Sequence, residues 1–173
     1  MILVTVGTHD RPFDRLIKAM DELAAGMAEP VVIQRGVSSI LPQHAAHFDF
    51  TTGRRMEELA AVARVIVAHA AAGSIILALK SKKPLVIVPR LRQVGEVIDD
   101  HQTQLANALH NSGRACAVNP VTSQSLSRAL QMAPNLQAKS VTGAELITAL
   151  RRQLNLWSAN GSRPDAKIVR SGS

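Results

Sequence analysis

The chain has few residues of the kinds that form disulfides or stack on nucleic-acid bases. It contains one cysteine, no tyrosine and only 2% aromatic residues among 173 positions. Because a lone cysteine cannot form an internal disulfide, Cys116, in the apolar run A-C-A-V, is interpreted as a buried and unreactive thiol. The scarcity of aromatic side chains and the lack of a recognised motif argue against nucleic acid as a partner.

Long apolar segments are missing as well. No apolar run reaches the roughly 18 residues that a membrane-spanning helix needs. The N-terminal segment M-I-L-V-T-V-G is too short and too uncharged for a signal peptide. With 46% hydrophobic residues and a mean hydropathy of +0.08, the composition predicts a globular, cytoplasmic protein.

Several motifs of familiar chemistry do not occur either. The chain has neither the G-x-G-x-x-G dinucleotide fingerprint nor a G-K-[ST] phosphate loop, which argues against an NAD-linked oxidoreductase. It has no serine nucleophile elbow and no C-x-x-C pair. The acidic residues and histidines lack the tight spacing of metal ligands, so no metal is predicted.

Short apolar runs alternate with amphipathic segments along the first 133 residues. The first amphipathic segment closes at Gly26, and its apolar face consists of Phe13, Leu16, Ile17, Met20 and Leu23. The pattern predicts strands at 2–6, 31–33, 48–50, 65–68, 85–88 and 115–118, and further helices at 55–62, 74–81, 100–111 and 123–132. This alternation indicates right-handed βαβ units. The predicted fold class is α/β, a single Rossmann-like domain with a doubly wound parallel sheet over residues 1–133.

Pro134 is predicted to end this domain. Beyond it we expect a C-terminal helical extension over residues 134–160, whereas residues 161–173 lack the apolar content to stay ordered alone. The extension carries an apolar stripe made of Leu146, Ile147, Leu150, Leu154 and Trp157. The stripe fits either docking to a partner or packing on the chain's own domain. Six basic and two acidic residues follow Pro134, which suits a solubilising tail, an anionic membrane surface or an acidic partner.

Two loops with small residues follow predicted strands. Gly7-Thr8 comes after the first strand, where a glycine permits close approach of a ligand, although a tight turn explains the loop equally well. The segment from His69 to Ser74, H-A-A-A-G-S, ends the fourth strand and opens a helix whose first N–H groups suit a diphosphate. His69 alone could be a structural residue, but the adjoining helix start favours a binding role. Both loops belong to the rim of the sheet where α/β proteins bind ligands.

A third polar group follows the fifth strand, which ends at Pro89-Arg90. The group comprises Glu96, Asp100, His101 and Gln102. His101 and Gln102, in the first turn of a helix, can form hydrogen bonds with sugar hydroxyls. Asp99 or Asp100 can instead be an ordinary N-cap.

These segments, in this order, resemble the glycosyltransferase family 28 C-terminal domain, and more closely its stand-alone PssE-type exopolysaccharide subunits and the cytosolic subunit of the dolichol-linked GlcNAc transferase. The matching segments cover roughly residues 1–120. They are V-T-V-G-T at 4–8, F-D-R-L-I at 13–17, H-A-x-x-G-S-I-I at 69–76, K-P-L-V-I-V-P-R at 83–90, G-E at 95–96 and D-H-Q at 100–102.

The resemblance implies the C-terminal half of a GT-B glycosyltransferase, with a UDP-sugar as substrate and no cofactor. The donor-binding residues would be Gly7, Thr8, His69, Ala72, Gly73, Ser74, Arg90, Glu96, His101 and Gln102. A membrane-anchored PssD-type subunit would bind the lipid-linked acceptor and supply the general base, so no catalytic residue is assigned here. The chain would then be peripheral at the inner face of the membrane through this partner, and a homo-oligomer is left open.

The predicted function is therefore the donor-binding subunit of a two-component, metal-independent, inverting glycosyltransferase. It would transfer a hexosyl or uronosyl group in exopolysaccharide or lipid-linked glycan synthesis, and only together with its partner. Two positions depart from the family pattern, since Ala71 replaces a glycine and Leu77 replaces a glutamate that contacts the ribose in several members. These departures support the alternative of a non-catalytic activating partner of a glycosyltransferase.

Overall fold

The computed structural model describes residues 1–136 of the chain. Their strands are β1 (Ile2–Thr5), β2 (Val31–Gln34), β3 (Ala46–Phe48), β4 (Val65–His69), β5 (Leu85–Val88) and β6 (Cys116–Ala117). Their α-helices are α1 (Asp14–Ala24), α2 (Gly53–Val62), α3 (Ala72–Lys80), α4 (His101–Asn111) and α5 (Ser123–Leu136). A short 3-10 helix, Arg92–Val94, lies between β5 and α4.

The six strands form one parallel sheet in the order β3-β2-β1-β4-β5-β6. All residues of β1, β4 and β5 are buried. The three strands are apolar runs except for the polar Thr5 and His69, each at a strand end. Runs of this kind suit a sheet that helices cover on both faces. The predicted doubly wound α/β fold is confirmed.

Helices cover both faces of the sheet. α1 packs against α5, and together with alternate strand residues such as Val4, Val67 and Val86 they form the main hydrophobic cluster. The intervening residues, such as Leu3, Ile66 and Ile87, are fully buried and face the other side, because side chains alternate along a strand. On that side α3 packs on β4 and α2 contacts α3.

Some element ends differ from the predicted ones. The third strand lies at Ala46–Phe48 rather than 48–50, α2 and α3 each begin two residues early, and β6 has only two residues. Pro134 does not end a helix, since it lies inside α5. In an uninterrupted helix the Leu130 carbonyl would accept a hydrogen bond from the N–H at position 134, which proline lacks. This carbonyl instead accepts one from Arg64 Nη1 at 3.5 Å.

Two further predictions can be compared with the described residues. Cys116 is a buried free thiol, as predicted, and burial raises its pKa. No helix of residues 1–136 is long and apolar enough to cross a membrane. The predicted apolar stripe from Leu146 to Trp157 lies outside the described residues.

Candidate donor-binding rim

The candidate site lies where the order of the strands reverses. β1 and β4 are neighbours in the middle of the sheet, and the helices that follow them, α1 and α3, cover opposite faces of it. The loops after these two strands therefore separate and leave a crevice at the carboxyl ends, which is where open α/β sheets bind ligands. The predicted loops at Gly7 and His69 border this crevice.

Gly7 adopts a conformation and a packing that only glycine allows. Its φ is +73°, and a Cβ at this position would lie 2.4 Å from Cε1 of His69. The Gly7 N–H donates to Thr5 Oγ1 at 3.2 Å, and its carbonyl accepts from Gln34 Nε2 at 3.3 Å. Gly7 thus brings the backbone against the His69 ring, and the loop continues into the exposed Thr8.

His69 is a buried and neutral imidazole. Its exposed fraction is 7%, and its Nδ1 is 3.1 Å from Ser74 Oγ in the first turn of α3. Burial, together with the positive charge of nearby Arg90, lowers the pKa of His69 to about 4. A neutral ring keeps one nitrogen as a donor and one as an acceptor near pH 7.

The start of α3 is open to an anion. Its cap residue, Ala71, makes no side-chain hydrogen bond, so the first N–H groups of the helix keep their hydrogen-bonding capacity for a ligand. Gly73 is exposed, and no atom lies within 4 Å of where its Cβ would be. Unpaired N–H groups and the helix dipole favour a phosphate at such a helix start.

Arg90 lies behind the crevice and is completely buried. Its guanidinium donates to the carbonyls of Arg11, Pro12 and Val6 at 3.0, 2.9 and 3.2 Å. Its backbone N–H donates to Gln102 Oε1 at 3.1 Å. Arg90 therefore contacts the rim loops rather than the open crevice.

Glu96 also has partners within the chain. Its carboxylate accepts two hydrogen bonds from Arg15, at 2.8 and 2.9 Å, and a third from the Leu91 N–H at 2.8 Å. His101 contacts Asp99, which accepts from the His101 N–H at 3.1 Å and lies 3.3 Å from the ring Nδ1. Asp99 thus caps the start of α4, whereas Asp100 makes no capping hydrogen bond.

The structure brings most of the predicted donor-binding residues into one network. His69 lies against Gly7 and contacts Ser74, and Arg90 connects the Gly7 loop to Gln102. Glu96 is connected to this network through Arg15 and does not face the crevice. The other predicted residues lie around the network on the same rim: Thr8, Ala72, Gly73 and His101. Within residues 1–136, no group of three or more histidine, cysteine or acidic residues could bind a metal ion.

Sequence reasoning missed two residues at this rim, Arg15 and Phe50. Arg15 lies on the amphipathic helix α1, and no local spacing connects it to a carboxylate 81 positions away. Phe50 was placed in the third strand, but it follows β3 and has an exposed fraction of 51%. Phe50 lies against Gly36, which is itself close to the Gly7 carbonyl. The sequence offered no local signal for Phe50, because its exposure and its position beside Gly36 are known only from the structure.

Comparison with solved structures shows the same fold in glycosyltransferases. The chain superposes on CalG4, the calicheamicin glycosyltransferase, with a TM-score of 0.62 and 16% identity over 91% of this chain and 44% of CalG4. It matches Acinetobacter baumannii MurG with a TM-score of 0.54 and 18% identity over 80% of this chain and 45% of MurG. For ALG13 the TM-score is 0.52 and the identity 19%, over 78% of this chain and 85% of ALG13.

The chain therefore spans less than half the length of CalG4 and MurG but most of the length of ALG13. No curated protein sequence gives a significant match. The family model of the glycosyltransferase family 28 C-terminal domain matches residues 1–151, which agrees with the sheet order, the glycine loop after β1 and the helix start after β4. The chain belongs to the glycosyltransferase family 28 C-terminal domain family.

Proposed function

We propose that this chain is the donor-binding half of an inverting glycosyltransferase that uses a UDP-sugar. The observation that carries the proposal is the uncapped start of α3, which borders the crevice at the switch point of the sheet. The donor diphosphate would accept hydrogen bonds from the N–H groups of Ala72, Gly73 and Ser74. No cofactor or metal is needed for this binding mode.

Side chains around the crevice fit the other parts of such a donor. Phe50 offers an exposed aromatic face beside the Gly7 loop, on which the uracil base can stack, because stacking between bases and aromatic rings is favourable. Thr8 is exposed beside the diphosphate position. Gln102, which accepts a hydrogen bond from the Arg90 N–H, and the neighbouring His101 would contact the sugar.

Replacing Gly73 with alanine tests this placement, because the two expected effects have opposite signs. The added methyl group should stabilise the fold by about 0.5–1 kcal/mol through helix propensity. The same methyl would lie where the phosphate approaches, so UDP affinity measured by calorimetry should fall about ten-fold. We expect the affinity of residues 1–173 alone to be weak, because they span less than half of the length of CalG4 and MurG.

Gly53 provides a matched control. It also lies in the first turn of a helix and also has no atom near the position of its Cβ, but α2 follows the edge strand β3 and does not begin at the β1–β4 junction. Gly53→Ala should gain stability and retain wild-type affinity for UDP. A wild-type chain that binds no UDP, even with its partner subunit present, would contradict the donor-binding function and support an activating partner without a nucleotide site.

We further propose that a second, membrane-anchored subunit of the PssD type completes the enzyme. The chain covers 44% of CalG4 and 45% of MurG, so a partner is proposed to bind the lipid-linked acceptor and supply the general base. The Glu96 carboxylate already accepts hydrogen bonds from Arg15 and from the Leu91 N–H. This supports a general base supplied from outside this chain. The product would be an exopolysaccharide or another lipid-linked glycan.

Apolar residues on the rim suggest where this partner binds. Val37 and Leu41 follow β2, and Val94 and Ile98 follow β5; all four side chains are exposed. Exposed apolar residues that border a cleft are typical of interaction surfaces. Ile98, with an exposed fraction of 75%, is the most exposed of them.

We expect Ile98→Asp to abolish copurification with the membrane-anchored subunit when the two are coexpressed, because a charge would be buried in an apolar contact. Met132→Asp is the control, since Met132 is also exposed but lies on α5. If both variants copurify as the wild type does, the rim is not the contact surface.

A further inference from the structure

Arginine side chains from the loop after β1, the first turn of α1 and the end of β5 connect two loops of the rim. The first loop, residues 6–13, follows β1, and the second, residues 89–102, follows β5. Among the described residues no backbone hydrogen bond connects the two loops, so side chains provide the connection. Arg11, Arg15 and Arg90, with the carboxylate of Glu96, are called here the arginine clasp.

The Arg15–Glu96 pair is the charged centre of the clasp. Two parallel hydrogen bonds, Nε to Oε1 at 2.8 Å and Nη2 to Oε2 at 2.9 Å, fix its geometry. Side-chain exposure is 24% for Arg15 and 10% for Glu96, so solvent screens the pair less than a surface pair. Arg15 also donates to the Pro89 carbonyl, and Glu96 accepts from the Leu91 N–H. Pairs with two parallel bonds are the most directional ion pairs in proteins.

The other two arginines reach across the same gap in opposite directions. Arg90 extends from the end of β5 to carbonyls of the first loop, while Arg11 extends from the first loop to the Gly95 carbonyl at 2.9 Å. The Phe13 ring lies between Arg15 and Arg90, 4.9 and 4.6 Å from their guanidinium carbons. Cation–π contacts at these distances add to the rigidity of the cluster.

We propose that Arg15 and Glu96 are positioning residues, which hold the loop of Gly7 and Thr8 at a fixed distance from the loop of Gln102 and so shape the donor site. The proposal rests on the proposed function, because it gives the clasp a role in donor binding. Glu96 then acts through Arg15 and does not contact the donor sugar. Arg90 links the clasp to Gln102 through its own N–H.

The test is a double-mutant cycle in the full-length chain, with UDP and UDP-glucose as calorimetric probes. Glu96→Gln and Arg15→Met should each lower the affinity for both probes about ten-fold, and the double variant should lose no more than either single variant, since both remove the same contact. Arg15→Lys, which retains the charge but not the paired hydrogen bonds, should restore only part of the affinity. Arg55→Met, in the exposed pair with Glu58, is the control and should bind as the wild type does.

Hydrogen exchange provides a second measurement. A local loss of stability elsewhere in the chain would not produce the exchange pattern expected here. The hydrogen-bonded amides of Leu91, Gly7 and Phe13 should exchange faster in both single variants, while amides of β4 and β5 keep their protection. Wild-type UDP affinity in Arg15→Met, or unchanged exchange in these loops, would overturn the positioning role. A wild-type chain that binds neither probe would instead contradict the proposed function, and with it the donor role of the clasp.

Discussion

At the scale of single residues, His69 shows how packing determines chemistry in this protein. Its ring fills the space that the missing Gly7 side chain leaves, and its Nδ1 contacts Ser74. Burial and the charge of Arg90 lower its pKa to about 4, so protonating the ring in the folded state is costly. In the unfolded chain the same imidazole titrates near 6.5.

This difference predicts how stability depends on pH. Above pH 6.5 the ring is neutral in both states, so it contributes no pH dependence. As the pH falls from 6.5 to 4, the unfolded state binds the proton first, and the wild type should lose about 3 kcal/mol of unfolding free energy. His69→Gln should lose less over this range in urea titrations at pH 7, 5.5 and 4.5. Parallel losses in the two proteins would show that His69 is not the titrating group.

Glu29 titrates in a lower pH range and does not obscure this comparison. Hydrogen bonding with Arg64, which outweighs the opposing effect of burial, lowers the pKa of Glu29 to about 2. The stability that Glu29 contributes is therefore present above its ordinary pKa of 4.5 and is lost between pH 4.5 and 2. Both proteins should show this second loss equally.

At the scale of elements, one side chain of α1 holds the segment that leads into β3. The Asp21 carboxylate accepts hydrogen bonds from the backbone N–H groups of Gln43, His44 and Ala45 at 2.8, 2.8 and 3.0 Å. Burial raises the pKa of Asp21, but these three hydrogen bonds outweigh it and keep the pKa below its ordinary value. The strand β3 is short and at the edge of the sheet, so we infer that this contact fixes its register.

We predict that Asp21→Ala lowers the unfolding free energy by about 1–3 kcal/mol, because three amides lose their acceptor. Glu22→Ala is the control, since Glu22 accepts one exposed hydrogen bond from Ser123 and should change stability by less than about 0.5 kcal/mol. Urea unfolding at pH 7 measures both. Equal effects of the two substitutions would show that the β3 segment is held by other contacts.

Local patterns in the sequence were sufficient to predict most elements. The buried runs at β1, β4 and β5 and the apolar face of α1 are continuous enough to identify strands and a helix. The extent of β3 and the continuation of α5 through Pro134 were missed, and both involve contacts with residues distant in the sequence. Gln34 pairs with Phe48, which ends the ladder before Phe50, and Arg64 satisfies the carbonyl that Pro134 leaves without a helical partner.

In the candidate site, too, local patterns were predictable from the sequence and long-range contacts were not. Gly7, His69 and the small residues before Ser74 lie in short contiguous segments, and parallel strand ends must share a rim, so their proximity was predictable. The hydrogen-bond partners of Arg90 and Glu96 were not predictable, because a hydrogen bond between residues 81 positions apart follows no periodicity. Donor binding by these two residues stays a prediction; in the structure Arg90 is fully buried and Glu96 pairs with Arg15.

At the scale of the whole molecule, the order of the strands explains why one rim carries the polar residues. All strands run in the same direction, so the loops after β1, β4 and β5 converge at one edge, while the turns at the opposite edge connect helices to strands. The helix α5 continues past residue 133, the predicted end of the domain, through Leu136. The predicted extension at 134–160, apart from the end of α5, and the tail at 161–173 lie outside the described residues.

The buried cysteine has a practical consequence for following the motions of this fold. Cys116 lies in the edge strand β6 and is 3% exposed, and burial raises its pKa, so little of the reactive thiolate forms while the sheet is intact. Since the chain has no other cysteine, each molecule can take up one thiol reagent, and only after this edge opens. The labelling rate thus measures the opening of the β5–β6 edge, and its dependence on urea separates local fraying from global unfolding.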